Sequence, residues 1–245
     1  MARTVKEHEY AVRRNAILDV TQHLVETKGY EQMAIQDILD NLQISKGAFY
    51  HYFASKQELL EALIERMLKE AEQLLLPSVY DPTLPALEKL LRFFATLNRW
   101  KIVQKPFVLA LLHVWYTDNN AIVRQKLHTG GMKQLTPLLT AIIHQGLQEG
   151  VLTTAYPDHA GEVILSLLQN LGEILSGLLL SGGLDRDLLR RIERTVAAYT
   201  DALERVLGAP EDSLCLADTE TLKEWYVSTI EATHKEMSKD EFNRE

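Results

Sequence analysis

The stretch "ISKGAFYHYF", residues 44–53, decides how this chain is read. A serine, a lysine and a glycine lead into four aromatic residues within five positions, with His51 between Tyr50 and Tyr52. Phe49 and Phe53 are four apart and share one face of a helix, so they are expected to anchor it in a core. The tips of Lys46, Tyr50, His51 and Tyr52 are polar, and a face built of them suits contact with something polar outside the protein. Ser45 is of a type that caps a helix start.

Working outward, apolar periodicity is helical and no sustained alternation marks a strand. A first helix is expected from about Tyr10 to Lys28, burying Ile17, Leu18, Thr21, Leu24 and Val25, with Gly29 closing it. A short helix follows at about Ala34 to Asn41, burying Ile35, Ile38, Leu39 and Leu42. The helix capped by Ser45 ends near Tyr52. Ser55 and Glu58 then have capping-box spacing, and Leu59, Leu60, Leu63, Ile64, Met67 and Leu68 make the stripe of a long helix that should stop by Pro77. Two short helices joined by a three-residue turn, behind a longer one, make a helix-turn-helix.

Over residues 29–63 the pattern becomes specific. Gly29-Tyr30, Ile38, Ile44-Ser45, Gly47, Tyr50, Tyr52-Phe53, Lys56 and Glu58-Leu59 resemble the DNA-binding domain of TetR-family transcriptional regulators. The resemblance implies an all-α protein with an N-terminal three-helix DNA-binding domain and a larger C-terminal helical domain for ligand binding and dimerisation. It implies a ligand-responsive regulator, a repressor by family default, which binds a palindromic double-stranded operator as a homodimer. A recognition helix turns its N-terminal residues toward base edges. Gly47 and Ala48 would let its backbone approach DNA, and Lys46 would reach a guanine or a phosphate. The hydroxyls of Tyr50 and Tyr52, with His51, would grip phosphates. Lys56 adds charge at the next helix start, Gln36 is a contact by family position, and Ser45 is a cap first and a contact second.

Three positions depart from the family pattern. Met33-Ala34 replace a hydroxyl residue that would cap the second helix, Gln43 stands where glycine is frequent in the turn, and Leu39 replaces a common alanine. A left-handed conformation at Gln43 would be mildly costly.

The domains expected are 10–70 for the helix-turn-helix unit, 71–209 for the ligand-binding and dimerisation unit, and 210–245 for an extension with one amphipathic helix. "DPTLP" (81–85) opens a helix to about Lys105, Pro106 restarts the chain through Tyr116, and Asp118-Asn119-Asn120 make a turn. The following segment to Gly150 is expected to be interrupted at Gly130, Gly131 and Pro137. Pro157 suits a first helical position, Gly182-Gly183 end that helix, and Asp185 caps another to about Leu207. By the resemblance, helices near 157–181 and 185–207 would form the homodimer bundle, although the first also suits an intrachain core. Phe94, Trp100, Phe107, His113, Trp115 and Tyr116, with Gln169, Asn170 and Glu173, are candidates for an effector pocket. Aromatics at helical spacing are more often plain core. The final helix, about Thr219 to Met237, would lid the pocket or clasp the partner.

Other functions find little support. The chain has 245 residues and a net charge of −8, yet residues 1–56 balance seven Lys/Arg against seven Asp/Glu, with Arg3, Lys6, Arg13 and Arg14 facing only Glu7 and Glu9 early on. The one cysteine, Cys215, excludes an intrachain disulfide and fits the cytoplasm. Residues 163–180 are apolar enough to test as a membrane span, but Glu173 at its middle would cost roughly 2.5–3.5 kcal/mol. No catalytic signature is found, the histidines lack ligand spacing, and no metal, cofactor or enzyme activity is expected. The rival readings are a helical protein–protein interaction module, or a regulator that answers to a protein signal.

Overall fold

The computed structural model describes residues 2–115, 121–180, 186–225 and 227, with side chains at 6–111, 125, 126, 128–178, 187–225 and 227. Among the described residues the secondary structure is helical, with no strand. The helices are α1 (Ala2–Lys28), α2 (Ile35–Leu42), α3 (Lys46–Tyr50), α4 (Lys56–Val79), α5 (Ala86–Val103), α6 (Lys105–Trp115), α7 (Ala121–Gln148), α8 (Pro157–Leu180) and α9 (Arg186–Leu207). A short helical stretch, 219–225, follows.

The chain forms two compact units. The first comprises residues 1–70 and 104–130, and the second comprises residues 71–103 and 131–245. Residues 104–130 thus group with the N-terminal residues, whereas the expected boundary at residue 70 assigned them to the C-terminal part. The physical reason is the side chains of α6: Phe107 and Leu111 are buried in the core made by Ile17, Leu18, Ile38, Phe49, Phe53, Leu60 and Leu63. The second unit has its own core, drawn from Leu90, Phe93 and Phe94 of α5, Leu139, Ile142 and Ile143 of α7, Ile164 of α8, and Ile192 and Leu203 of α9. Leu214, Leu216 and Leu222 complete it from the residues after α9.

Several element boundaries differ from expectation. α1 begins at Ala2, eight residues before the expected start at Tyr10. α4 continues through Pro77 to Val79. A proline this near the C-terminal end removes only one of the last intrahelical bonds, and Ser78 Oγ donates to Leu75 O at 3.1 Å in the same turn. Lys89, buried to 4% exposure, donates to Val79 O at 2.7 Å and so caps α4 from α5.

α7 is likewise unbroken through Gly130, Gly131 and Pro137. Gly130 does not turn the chain: a Cβ there would lie 2.7 Å from Leu68 Cδ1, so the glycine permits close helix packing. The starts of α5 and α8 match expectation more closely. Glu149 Oε2 accepts from Ala86 N at 2.9 Å, and α8 opens on Pro157. Pro106 stands at the second position of α6, where a missing N–H costs nothing. The expected turn at 118–120, the helix end at Gly182-Gly183 and the cap at Asp185 lie outside the described residues. So do Tyr226 and the positions beyond Val227 in the expected final helix.

Candidate nucleic-acid interface

α2 and α3 are too short to hold themselves in shape, so their ends carry the geometry. Ala34 has no side-chain acceptor, and the carboxylate of Asp37 compensates by accepting from Ala34 N at 2.9 Å. Lys28 Nζ sits 2.7 Å from the other Asp37 oxygen. Those two contacts hold the Asp37 carboxyl below its ordinary range, the Lys28 bond contributing most. At the far end Gln43 adopts φ 51° and ψ 42°, the left-handed conformation, while its N–H and that of Ile44 both donate to Leu39 O.

Ser45 then starts α3, its Oγ accepting from Ala48 N at 3.2 Å. Beyond α3, Ser55 Oγ accepts from Glu58 N at 3.0 Å, and Glu58 Oε2 accepts from Ala54 N at 2.6 Å. The capping box expected at α4 is therefore shifted by one residue on its return leg.

The two faces of the opening stretch separate cleanly. Phe49 is 0% and Phe53 1% exposed, with ring centroids 6.1 Å apart. Arg14 Cζ lies 5.1 Å over the Phe53 ring. Ser45, Lys46, Gly47, Tyr50 and His51 are exposed, Ala48 and Tyr52 are half-buried, and Lys46 Nζ lies 6.0 Å from the Tyr50 ring centroid. Gly47 is not in a left-handed conformation, and a Cβ added to it would meet nothing nearer than Ser45 Oγ at 4.0 Å. The free protein gives no steric reason for glycine there.

Gln36 and Lys56, like Ser45, have partners within the protein. Gln36 is exposed on α2, with Nε2 donating to Asp40 Oδ1 at 2.7 Å. Lys56 is half-buried, donates to Glu31 O at 3.1 Å and sits 4.4 Å from the Tyr30 ring centroid. Burial lowers its pKa, partly offset by Glu31. Burial, with Glu31 and Glu61, raises the Tyr30 phenol to about 12. Tyr10, which sequence reasoning passed over, joins the group: its ring lies 4.7 Å from Tyr52 and 5.7 Å from His51. The signal was present in the helical register, which puts Tyr10 on the same side as Ile17 and Thr21.

The residues expected to share an effector pocket are spread over both units. Phe94 is buried in the core of the second unit and Phe107 in that of the first, because the chain turns at Gln104 between α5 and α6. Trp100 is half-buried on α5. Tyr116 and the side chains of His113 and Trp115 lie outside the described residues. On α8, Gln169 is half-buried, Asn170 accepts from the Tyr199 hydroxyl of α9, and Glu173 is exposed. Among the described residues no His/Cys/Asp/Glu group is placed to hold a metal ion, and no helix is long and apolar enough to cross a membrane.

Residues 17–63, which contain α2, α3 and the start of α4, match the family model described as bacterial regulatory proteins, tetR family. Residues 113–174 match a second, described as a tetracyclin repressor-like C-terminal domain. The chain belongs to the TetR family of transcriptional regulators.

TetR-family relatives agree with this. The chain is 43% identical over 56 residues to an uncharacterised HTH-type transcriptional regulator of Lactococcus lactis, covering 23% of this chain and 29% of that protein. It is 38% identical over 60 residues to the HTH-type transcriptional regulator EthR of Mycolicibacterium smegmatis, covering 24% and 28%. The chain thus matches under a third of the length of these curated relatives. Solved TetR-family structures extend the likeness in fold. A regulator from Pectobacterium atrosepticum superposes with a TM-score of 0.56 at 18% identity, covering 83% of this chain and 98% of that one. Another from Mesorhizobium loti gives 0.57 at 15%, covering 80% and 97%.

Proposed function

We propose that this TetR-family protein is a cytoplasmic, effector-responsive repressor that binds a near-palindromic DNA operator as a homodimer. The observation that carries the DNA part is the division of α3: Phe49 and Phe53 are fully buried while Lys46, Gly47 and Tyr50 stand exposed at a capped helix start. That arrangement fixes the helix from behind and leaves its front for a groove. Lys46 reads a base edge or a phosphate. Tyr50, His51 and the hydroxyl of Tyr52 take phosphates, and the open space at Gly47 admits the DNA backbone. Ser45 and Ala48 line the same end, and Gln36 contributes from α2 by exchanging its Asp40 bond. Lys56 contributes mainly as a brace, since its ammonium already serves Glu31 and Tyr30.

The dimer is proposed to form through α8 and α9. Val163, Leu167 and Ile174 share one side of α8, and Val163 and Ile174 are exposed at 43% and 38%. That spacing gives an apolar stripe of the kind helix bundles bury. Gly161 serves the chain's own packing instead, since a Cβ there would lie 2.9 Å from Thr140 Oγ1 of α7. The repressor and effector parts draw support from two relatives' names. One is the HTH-type transcriptional repressor DhaR of a Mycobacterium strain, 28% identical over 85 residues, and the other the A-factor receptor protein of Streptomyces griseus, 33% over 57. The effector would be small and largely apolar, held in the second unit near Phe94 and Trp100.

The test is equilibrium binding to an operator selected in vitro from random duplexes. Lys46→Ala and Tyr50→Ala should each weaken binding by about 1–3 kcal/mol. Wild-type affinity in both variants would remove α3 from the interface.

A further inference from the structure

Lys6 and Arg14 of α1 are not used by the helix-turn-helix, yet the structure gives them a defined place beside it. On α1, the side that buries Ile17, Leu18, Thr21, Leu24 and Val25 continues toward the N-terminus as Arg14, Tyr10 and Lys6. At about 100° per residue, Lys6 lies about 40° round from Tyr10, and Glu9 about 100° round. Apolar core contact therefore gives way, turn by turn, to Arg14, Tyr10 and Lys6, with Glu7 about 60° round from Tyr10 on the flank away from Lys6. Arg14 covers the Phe53 ring at 5.1 Å, and the Tyr10 ring then packs tilted against Tyr52 and edge-on to His51, near the end of the recognition segment. One turn further, about 5.4 Å along the axis, Lys6 is exposed. The helix is continuous through this region, from Ala2 to Lys28, so the overhang is held in one direction.

We propose that the first turns of α1 are a second DNA-contacting element, in which Lys6 takes a backbone phosphate next to those gripped by Tyr50, His51 and Tyr52. Tyr10 is the positioning residue: its ring locks the helix start to the end of the recognition segment. The ligand is the duplex backbone itself, so the contact carries affinity without sequence preference. This rests on the DNA-binding reading above.

The experiment uses the full chain and measures affinity against salt concentration for the selected operator and for an unrelated duplex. Lys6→Ala should weaken both several-fold by the same factor and lower the salt slope by roughly 0.9 per subunit, one phosphate's worth. The preferred operator sequence should not change. Tyr10→Ala should reproduce the loss, and Tyr10→Phe, which keeps the ring, should restore wild-type binding. Wild-type affinity and slope in Lys6→Ala, alongside weakened binding in Tyr50→Ala, would overturn this contact and leave the repressor reading standing. A Lys6→Ala loss confined to the selected operator would also overturn it, because a phosphate contact cannot discriminate. Absence of salt-dependent duplex binding in the wild type would bring down both.

Discussion

Gly47 separates folding from function more sharply than any other residue here. Glycine inside a helix costs roughly 0.5–1 kcal/mol relative to alanine. A Cβ at this position has open space around it and no positive φ to strain. Gly47→Ala should therefore leave thermal stability unchanged or raise it by up to that amount. The same methyl would stand where DNA approaches, so operator affinity should fall several-fold in the binding assay. A variant both less stable and unimpaired in binding would contradict the placement of α3.

At the same scale, the sequence announced Phe49, Phe53 and the Ser45 cap correctly, because spacing and residue type alone determine them. It could not announce Lys56, whose ammonium lies within reach of the Glu31 carbonyl only once α1, α2 and α4 have packed. A hydrogen bond across 25 positions leaves no periodic trace in the chain.

Among the elements, α2 is instructive because two sequence departures at its ends are compensated differently. At its start, Asp37 supplies the acceptor that Ala34 lacks, with Lys28 holding the carboxylate. A carboxyl held below its ordinary value of 3.8 adds stability that is complete above that pH and is lost as pH falls through the lowered folded value. Asp37→Asn should thus melt below wild type at neutral pH, and the two curves of melting temperature against pH should converge in strong acid. Parallel curves across the acid range would assign the Lys28 pair no role. At its end, Gln43 is simply held in the left-handed region by two backbone bonds to Leu39.

The helices of the N-terminal unit were legible because capping residues and apolar stripes coincide there. α7 was not: Gly130, Gly131 and Pro137 read as breaks, but Gly130 relieves crowding against Leu68 of α4, which only packing reveals.

For the molecule as a whole, two cores explain which distant residues could be anticipated. The apolar stripes identified core residues well, but not to which core each belongs. Phe94 and Phe107 stand on adjacent helices and yet are buried in different units. Phe107→Ala should therefore act on the N-terminal unit, lowering its stability by about 3–5 kcal/mol. Hydrogen exchange would locate the loss among the amides of α1 to α4, with those of α8 and α9 retaining their protection. Protection lost only in the second unit would refute the assignment.

The burial of Phe107 and Leu111 also bears on how such proteins can be recombined. A reading head cut at residue 70 would leave behind two of the side chains that fill its interior, and an engineered chimaera joined there would inherit a hollow. The transplantable part is discontinuous in sequence: residues 1–70 must travel with 104–130. Grafting the DNA specificity of this protein onto another sensor is therefore a matter of two splices rather than one.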